Sequence, residues 1–225
     1  MNSFKLLSIL LMYPTTDYQQ AIAEEIMPLL SEQNLVWRKK LAPFFNYLIE
    51  TDLITLQENY VATFDRNPSQ SLHMFEHLHG ENRDRGSALV NLLQEYQKAG
   101  FEPQGYELPD YLPLFLEFLS LQDQETACNL LDEAVHVIHY IGQQIAKNSQ
   151  DSTNDQGQYA VIFELITSLS TVQPEDLKVA PIRDMDEALE VFGPTIEGLE
   201  PLLKPTDVQI VHQIRNSQPR HKAGE

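Results

Sequence analysis

The densest group of residues able to do chemistry is His73-Met74-Phe75-Glu76-His77-Leu78-His79-Gly80-Glu81. It contains H-x-x-E-H, the pattern of inverted zinc proteases. On a helix, His73 and His77 would share one face and hold a zinc ion, with Glu76 beside them as general base. A third ligand would have to come from elsewhere, and a chain with 33 Asp and Glu supplies too many candidates for any one to identify a site. The competing reading places Met74, Phe75 and Leu78 in a core, with the histidines hydrogen-bonded to carboxylates or backbone. Short motifs arise often by chance, so this second reading is the stronger one and zinc-dependent hydrolysis stands as the alternative.

Two further clusters follow. Arg83-Asp84-Arg85-Gly86 is a charged turn entering a helix. It reads equally as an ion-pair junction with Glu76, Glu81 or the histidines, and as a solvated cap in which Asp84 meets the first free backbone N–H groups. The stretch Tyr106-Glu107-Leu108-Pro109-Asp110-Tyr111-Leu112-Pro113-Leu114-Phe115-Leu116-Glu117-Phe118-Leu119 puts two prolines at a helix start, with an aromatic-rich apolar side and acids at its mouth. Such an edge suits a groove that receives an amphipathic helix, and periodicity alone equally suits a core helix. No G-x-S-x-G elbow, phosphate loop, dinucleotide fingerprint or Ser-His-Asp order occurs in the sequence.

Helices must position these clusters. Apolar residues recur at helical spacing in Phe4, Leu7 and Leu11, in Leu41, Phe44, Phe45 and Leu48, and in Leu89, Leu92, Leu93 and Tyr96. Hairpin signals are absent, and the pattern predicts helices near 3–12, 16–33, 36–50, 52–64, 71–79, 84–99, 108–121, 124–147 and 159–171. Gly100 stands at a C-terminal cap and Pro109 in the first turn of the helix over 108–121. Residues 148–158 are polar and predict a mobile surface loop, while repeated prolines after Ala180 predict a partly ordered tail over 181–225 behind one helical domain over 1–180.

Composition sets the outer bounds. With 225 residues and 42% hydrophobic content the chain can bury one sizeable core. Lys and Arg total 15 against 33 Asp and Glu, a net charge of −18, which repels nucleic acid and attracts basic peptides. The lone cysteine, Cys128, reads as a small core residue of a protein in a reducing compartment. No apolar run approaches the ~20 residues that span a bilayer. The N-terminal MNSFKLLSILLMYP lacks a small-residue cleavage site, so a soluble protein is expected.

The stretches V-A-T-F-D-R, F-E-H-L-H-G-E-N-R-D-R-G and E-L-P-D-Y-L-P-L-F-L-E-F, together with L-L-M-Y-P near the N-terminus, resemble the NarJ family of dedicated chaperones for respiratory nitrate reductase. The likeness covers about half of the chain. It implies an all-α, single-domain helical bundle of the TorD/NarJ type that is not an enzyme and holds no cofactor or metal of its own. It implies a cytoplasmic chaperone that binds the N-terminal segment of the catalytic (alpha) subunit and permits insertion of the molybdenum cofactor before membrane docking. Proteins of molybdenum cofactor biosynthesis are further candidate partners, and neither nucleic acid nor membrane insertion is expected.

The client segment is expected against the helix starting at Pro109, with Leu112, Phe115, Leu116 and Leu119 as anchors and Glu107, Asp110 and Glu117 as an acidic rim. His77 and His79 would make binding pH-dependent, and Asp84, Arg85 and Tyr111 complete the expected set. Two departures from the family stand out. Tyr111 follows Pro-Asp where relatives often have His, and His73 stands where they carry an apolar residue.

Overall fold

The computed structural model describes residues 2–28, 30, 35–79, 84–103, 105–151 and 155–177. Among these the protein is all-α, with nine α-helices and no strand. They are α1 (Ser3–Leu10), α2 (Thr16–Ala21), α3 (Leu35–Glu50), α4 (Leu53–Tyr60), α5 (Met74–His79), α6 (Asp84–Lys98), α7 (Leu112–Ser120), α8 (Gln124–Asp151) and α9 (Ala160–Thr167). The described residues fall within one compact unit, Met1–Pro181. The expected tail over 181–225 lies outside the described residues.

Helix α7 forms the centre of the site-bearing half because it is apolar on nearly every side. Leu112, Pro113, Phe115, Leu116, Phe118 and Leu119 are all buried. A helix apolar all round has no face to give to water and is surrounded by others. It packs along α1, where the Ser8 hydroxyl donates to the Pro113 carbonyl at 2.7 Å and Lys5 pairs with Glu117.

A second layer is the α8/α9 pair. Gly142 permits it, since a Cβ there would meet the Phe163 Cβ at 2.7 Å, inside van der Waals contact. Phe163 is 1% exposed and lies in an aromatic cluster with Phe64 and Tyr159. Burying one such side chain contributes about 1.5–3 kcal/mol.

The ends of α4 and α6 shape the site. Helix α4 runs into a π-turn, Val61–Asp65, closed by Arg66 N–H donating to the Val61 carbonyl at 2.9 Å. Helix α6 ends as expected at Gly100, whose φ of 74° suits a residue without Cβ. Phe101 N–H then donates back to the Tyr96 carbonyl at 2.8 Å, and its ring packs on Tyr96 at 5.4 Å, the bond and apolar contact of a Schellman cap.

Four local expectations are corrected. Pro109 precedes its helix, and Pro113 occupies the first turn instead. The polar loop expected over 148–158 is in part helical, because α8 continues to Asp151 and a 3-10 turn spans Asp155–Tyr159, with 152–154 outside the described residues. Polar residues at the end of a long helix need no core to hold them when the backbone bonds simply continue. Leu78 is 45% exposed rather than core, and Cys128 is half-buried.

Candidate functional site

Two distant segments meet at Asp110. Leu112 N–H donates to the Leu72 carbonyl at 2.9 Å and Met74 N–H to the Asp110 carbonyl at 3.1 Å, forming an isolated antiparallel bridge between His73 and Tyr111. The bridge delivers the Asp110 carboxylate to the start of α5. One oxygen accepts the Phe75 backbone N–H at 3.0 Å, and the other accepts His73 Nδ1–H at 3.3 Å. Asp110 has no exposed surface, while the His73 ring is half-buried. The first free N–H groups of a helix attract a carboxylate, and here it comes from outside the helix.

The turn that carries Asp110 is held from two sides. Tyr111 N–H donates to the Leu108 carbonyl at 3.0 Å, and the Tyr96 hydroxyl donates to the Pro109 carbonyl at 2.8 Å. Burial and the nearby Asp110 charge raise the Tyr96 pKa, which keeps the hydroxyl a donor. The His73 pKa is also raised, chiefly by its hydrogen bond to Asp110. Partial burial opposes that shift, while the charges of Asp110, Glu76 and Glu107 add to it.

From this anchor a row of aromatic side chains leads to the exposed Tyr13. His73 packs on Tyr111 at 5.4 Å between ring centres, Tyr111 Oη lies 3.1 Å from Tyr60 Oη, and Tyr60 meets Tyr13 edge-on at 5.3 Å. Tyr60 is buried, Tyr111 half-buried and Tyr13 exposed, with Met12 exposed beside it. The π-turn that follows Tyr60 sets Asp65 near the row, and Glu107 and Asp65 both act on Tyr111, whose hydroxyl pKa is raised chiefly by burial, opposed by its hydrogen bond with Tyr60 and supported by these charges. Aromatic side chains with the exposed acids Asp65 and Glu107 beside them suit a basic amphipathic segment.

The family described as "Nitrate reductase delta subunit" matches residues 19–149, a span that includes Tyr60, Asp65, His73, Asp110 and Tyr111. The chain belongs to the nitrate reductase delta subunit family. It is similar to the nitrate reductase molybdenum cofactor assembly chaperone NarJ of Escherichia coli (strain K12), 33% identical over 177 residues that cover 78% of this chain and 72% of the relative. It is similar also to two proteins described as probable assembly chaperones of the same kind. One is NarW of Escherichia coli (strain K12), 38% identical over 60% of this chain and 56% of the relative. The other is NarJ of Bacillus subtilis (strain 168), 32% identical over 65% of this chain and 79% of the relative.

In this delta subunit family member the residues expected at a client groove divide into two groups. Asp110, Tyr111 and Glu107 gather near one another, while Arg85 Nη2 donates to Glu76 at 3.0 Å, one of the ion pairs the charged turn suggested. Asp84 is exposed and lies in the first described turn of α6. His79 is half-buried, edge-on to Phe75 at 5.8 Å.

Four of the residues expected at the groove are buried or have an internal partner. Phe115 is 4% exposed and belongs to the core, as do Leu112, Leu116 and Leu119, so α7 offers no open anchor row. Asp110 is a buried cap rather than a rim carboxylate. Glu117 faces Lys5 of α1. His77 is buried, donating from Nε2 to the Ser71 carbonyl at 2.8 Å and packing on Tyr140.

The zinc pattern does not assemble. His73 lies in the bridge ahead of α5 and turns to Asp110, His77 turns to Ser71, and Glu76 pairs with Arg85. Among the described residues no group of three His, Cys, Asp or Glu is placed to hold a metal ion. Periodicity missed Tyr13, Tyr60 and Asp65, although L-L-M-Y-P and V-A-T-F-D-R contain or adjoin them. A cavity of about 230 Å³ against α8, lined by His139, Tyr140, Lys147 and Glu175 among others, includes none of the expected residues. No helix among the described residues is long and apolar enough to cross a membrane.

Proposed function

We propose that this chain is a cytoplasmic assembly chaperone of a molybdenum-containing nitrate reductase. In this reading it binds the N-terminal segment of the catalytic subunit, holds that subunit open for molybdenum cofactor insertion, and delays docking on the membrane subunit. The observation that carries the reading is membership of the delta subunit family, with relatives named as assembly chaperones over most of the chain. The chain acts by binding and not by catalysis, consistent with a His-Glu cluster whose members serve structural partners.

The client lies on the Tyr13–Tyr60–Tyr111–His73 row in this account, not along α7. Tyr13, Tyr111 and His73 supply ring surface, and Asp65 and Glu107 supply an acidic rim. A basic segment approaching this rim is drawn in by charge, an attraction that salt screens within ~10 Å at 0.1 M. Calorimetric titration of the full chain with an N-terminal peptide of the catalytic subunit tests the reading. Binding that weakens as salt rises supports it, and no heat of binding at low salt would overturn it.

A further inference from the structure

The two tyrosine hydroxyls at the centre of the row have a fixed hydrogen-bond direction. Tyr60 Oη lies 2.9 Å from the Leu11 carbonyl, which can only accept, so the single Tyr60 hydroxyl hydrogen is donated there. In the 3.1 Å pair with Tyr60, Tyr111 is therefore the donor. Donation runs from Tyr111 to Tyr60 to Leu11. Tyr111 has spent its hydrogen inward and is left with oxygen lone pairs alone.

His73 has the same polarity. Its Nδ1–H is committed to the Asp110 carboxylate at 3.3 Å, so in the neutral ring Nε2 is an acceptor. The exposed carboxylates Asp65 and Glu107 can, when ionised, only accept, and both act on Tyr111. With the His73 ring neutral, each of these groups asks for a donor, and the charge of Asp65 and Glu107 asks for a positive one.

We infer that the Tyr111 hydroxyl is a specificity-determining acceptor that selects a cationic donor, a Lys or Arg side chain, on the client segment. This rests on the client binding proposed above. A hydrogen bond to a charged donor at a half-buried site is worth about tenfold in affinity or somewhat more. A neutral apolar side chain at the same client position leaves the Tyr111 oxygen without its partner and loses that factor.

The test is calorimetry of the full chain with the N-terminal peptide of the catalytic subunit and with variants in which each Lys or Arg is replaced singly by norleucine. Tyr111→Phe keeps the ring and the Tyr60-to-Leu11 bond, and circular dichroism checks the fold. The expected result is about tenfold weaker binding of the parent peptide by Tyr111→Phe. One norleucine peptide should show the same loss in the wild-type chain and no further loss with Tyr111→Phe.

Glu107→Gln, on an exposed side chain, should reproduce the coupling to that same client residue at about two- to fivefold, whether or not Tyr111→Phe folds. The inference is overturned if folded Tyr111→Phe binds the parent peptide as the wild type does. It is overturned also if the losses from Tyr111→Phe or Glu107→Gln add independently to those of every Lys and Arg. A wild-type chain that binds no peptide at all would remove the functional proposal itself, an outcome that unchanged binding by Tyr111→Phe does not resemble.

Discussion

Asp110 caps a helix to which it does not belong, accepting the backbone N–H of Phe75 at 3.0 Å across 35 residues of sequence. The same carboxylate holds His73, so one buried side chain joins the Pro-Asp turn to the start of α5 and fixes the geometry of the row above it. Removing it leaves Phe75 N–H and His73 Nδ1 without their acceptor in a dry site.

Asp110→Ala is therefore expected to destabilise the fold by about 2–4 kcal/mol. Asp110→Asn keeps one carbonyl oxygen and should cost less, about 1–2 kcal/mol. Urea denaturation followed by circular dichroism measures both. Equal stability of Asp110→Ala and wild type would show that the cap does not hold the turn.

The His73 shift gives stability a pH dependence of definite sign. Its folded pKa is raised, so the folded state binds the proton more tightly than the unfolded chain, and the contribution is fully present below the unfolded value of about 6.5. It is lost as pH rises through the folded pKa. Unfolding free energies measured from about pH 6.5 up through the folded pKa should decline with pH in the wild type and decline less in His73→Gln. Identical slopes in the two proteins would exclude the His73–Asp110 pair as the source.

The same titration acts on the client. A protonated His73 puts a positive charge and a donor beside Tyr111, where the other groups are acceptors. Affinity for a basic peptide should fall as pH drops through the His73 titration, and His73→Gln should flatten the profile. The expectation that His77 carries this effect is replaced, because His77 is buried on the Ser71 carbonyl. If His77→Gln flattens the profile with the fold intact while His73→Gln leaves it unchanged, this assignment is wrong.

Gly142 should tolerate no side chain. A Cβ at 2.7 Å from the Phe163 Cβ forces α8 and α9 apart, and Gly142→Ala is expected to cost about 1–3 kcal/mol despite its better helix propensity. Thermal melts report it. A rise in melting temperature on Gly142→Ala would mean that the helix pair yields freely.

How much of this was legible depended on the range of the interaction. Helices α3 and α6 follow from apolar spacing and from the Gly100 cap, which are local signals. Residues around α7 pointed to a groove wall because a nine-residue apolar helix with acids at its mouth has the same pattern whether it is lined by a client or by α1. Only packing separates the two. Asp110 next to Pro109 reads as a local cap, and nothing within a few residues reveals that its partners are His73 and Phe75. The π-turn after Tyr60 likewise leaves no periodic trace, yet it sets Asp65 beside the row.

Assembly of a molybdenum enzyme by this chain should be visible in the metal content of that enzyme. Nitrate reductase purified from cells that lack this chain, and from the same cells with the chain restored, should be compared for molybdenum per catalytic subunit. The account predicts molybdenum-deficient enzyme without the chain and recovery with it. A full complement of molybdenum in its absence would contradict the account.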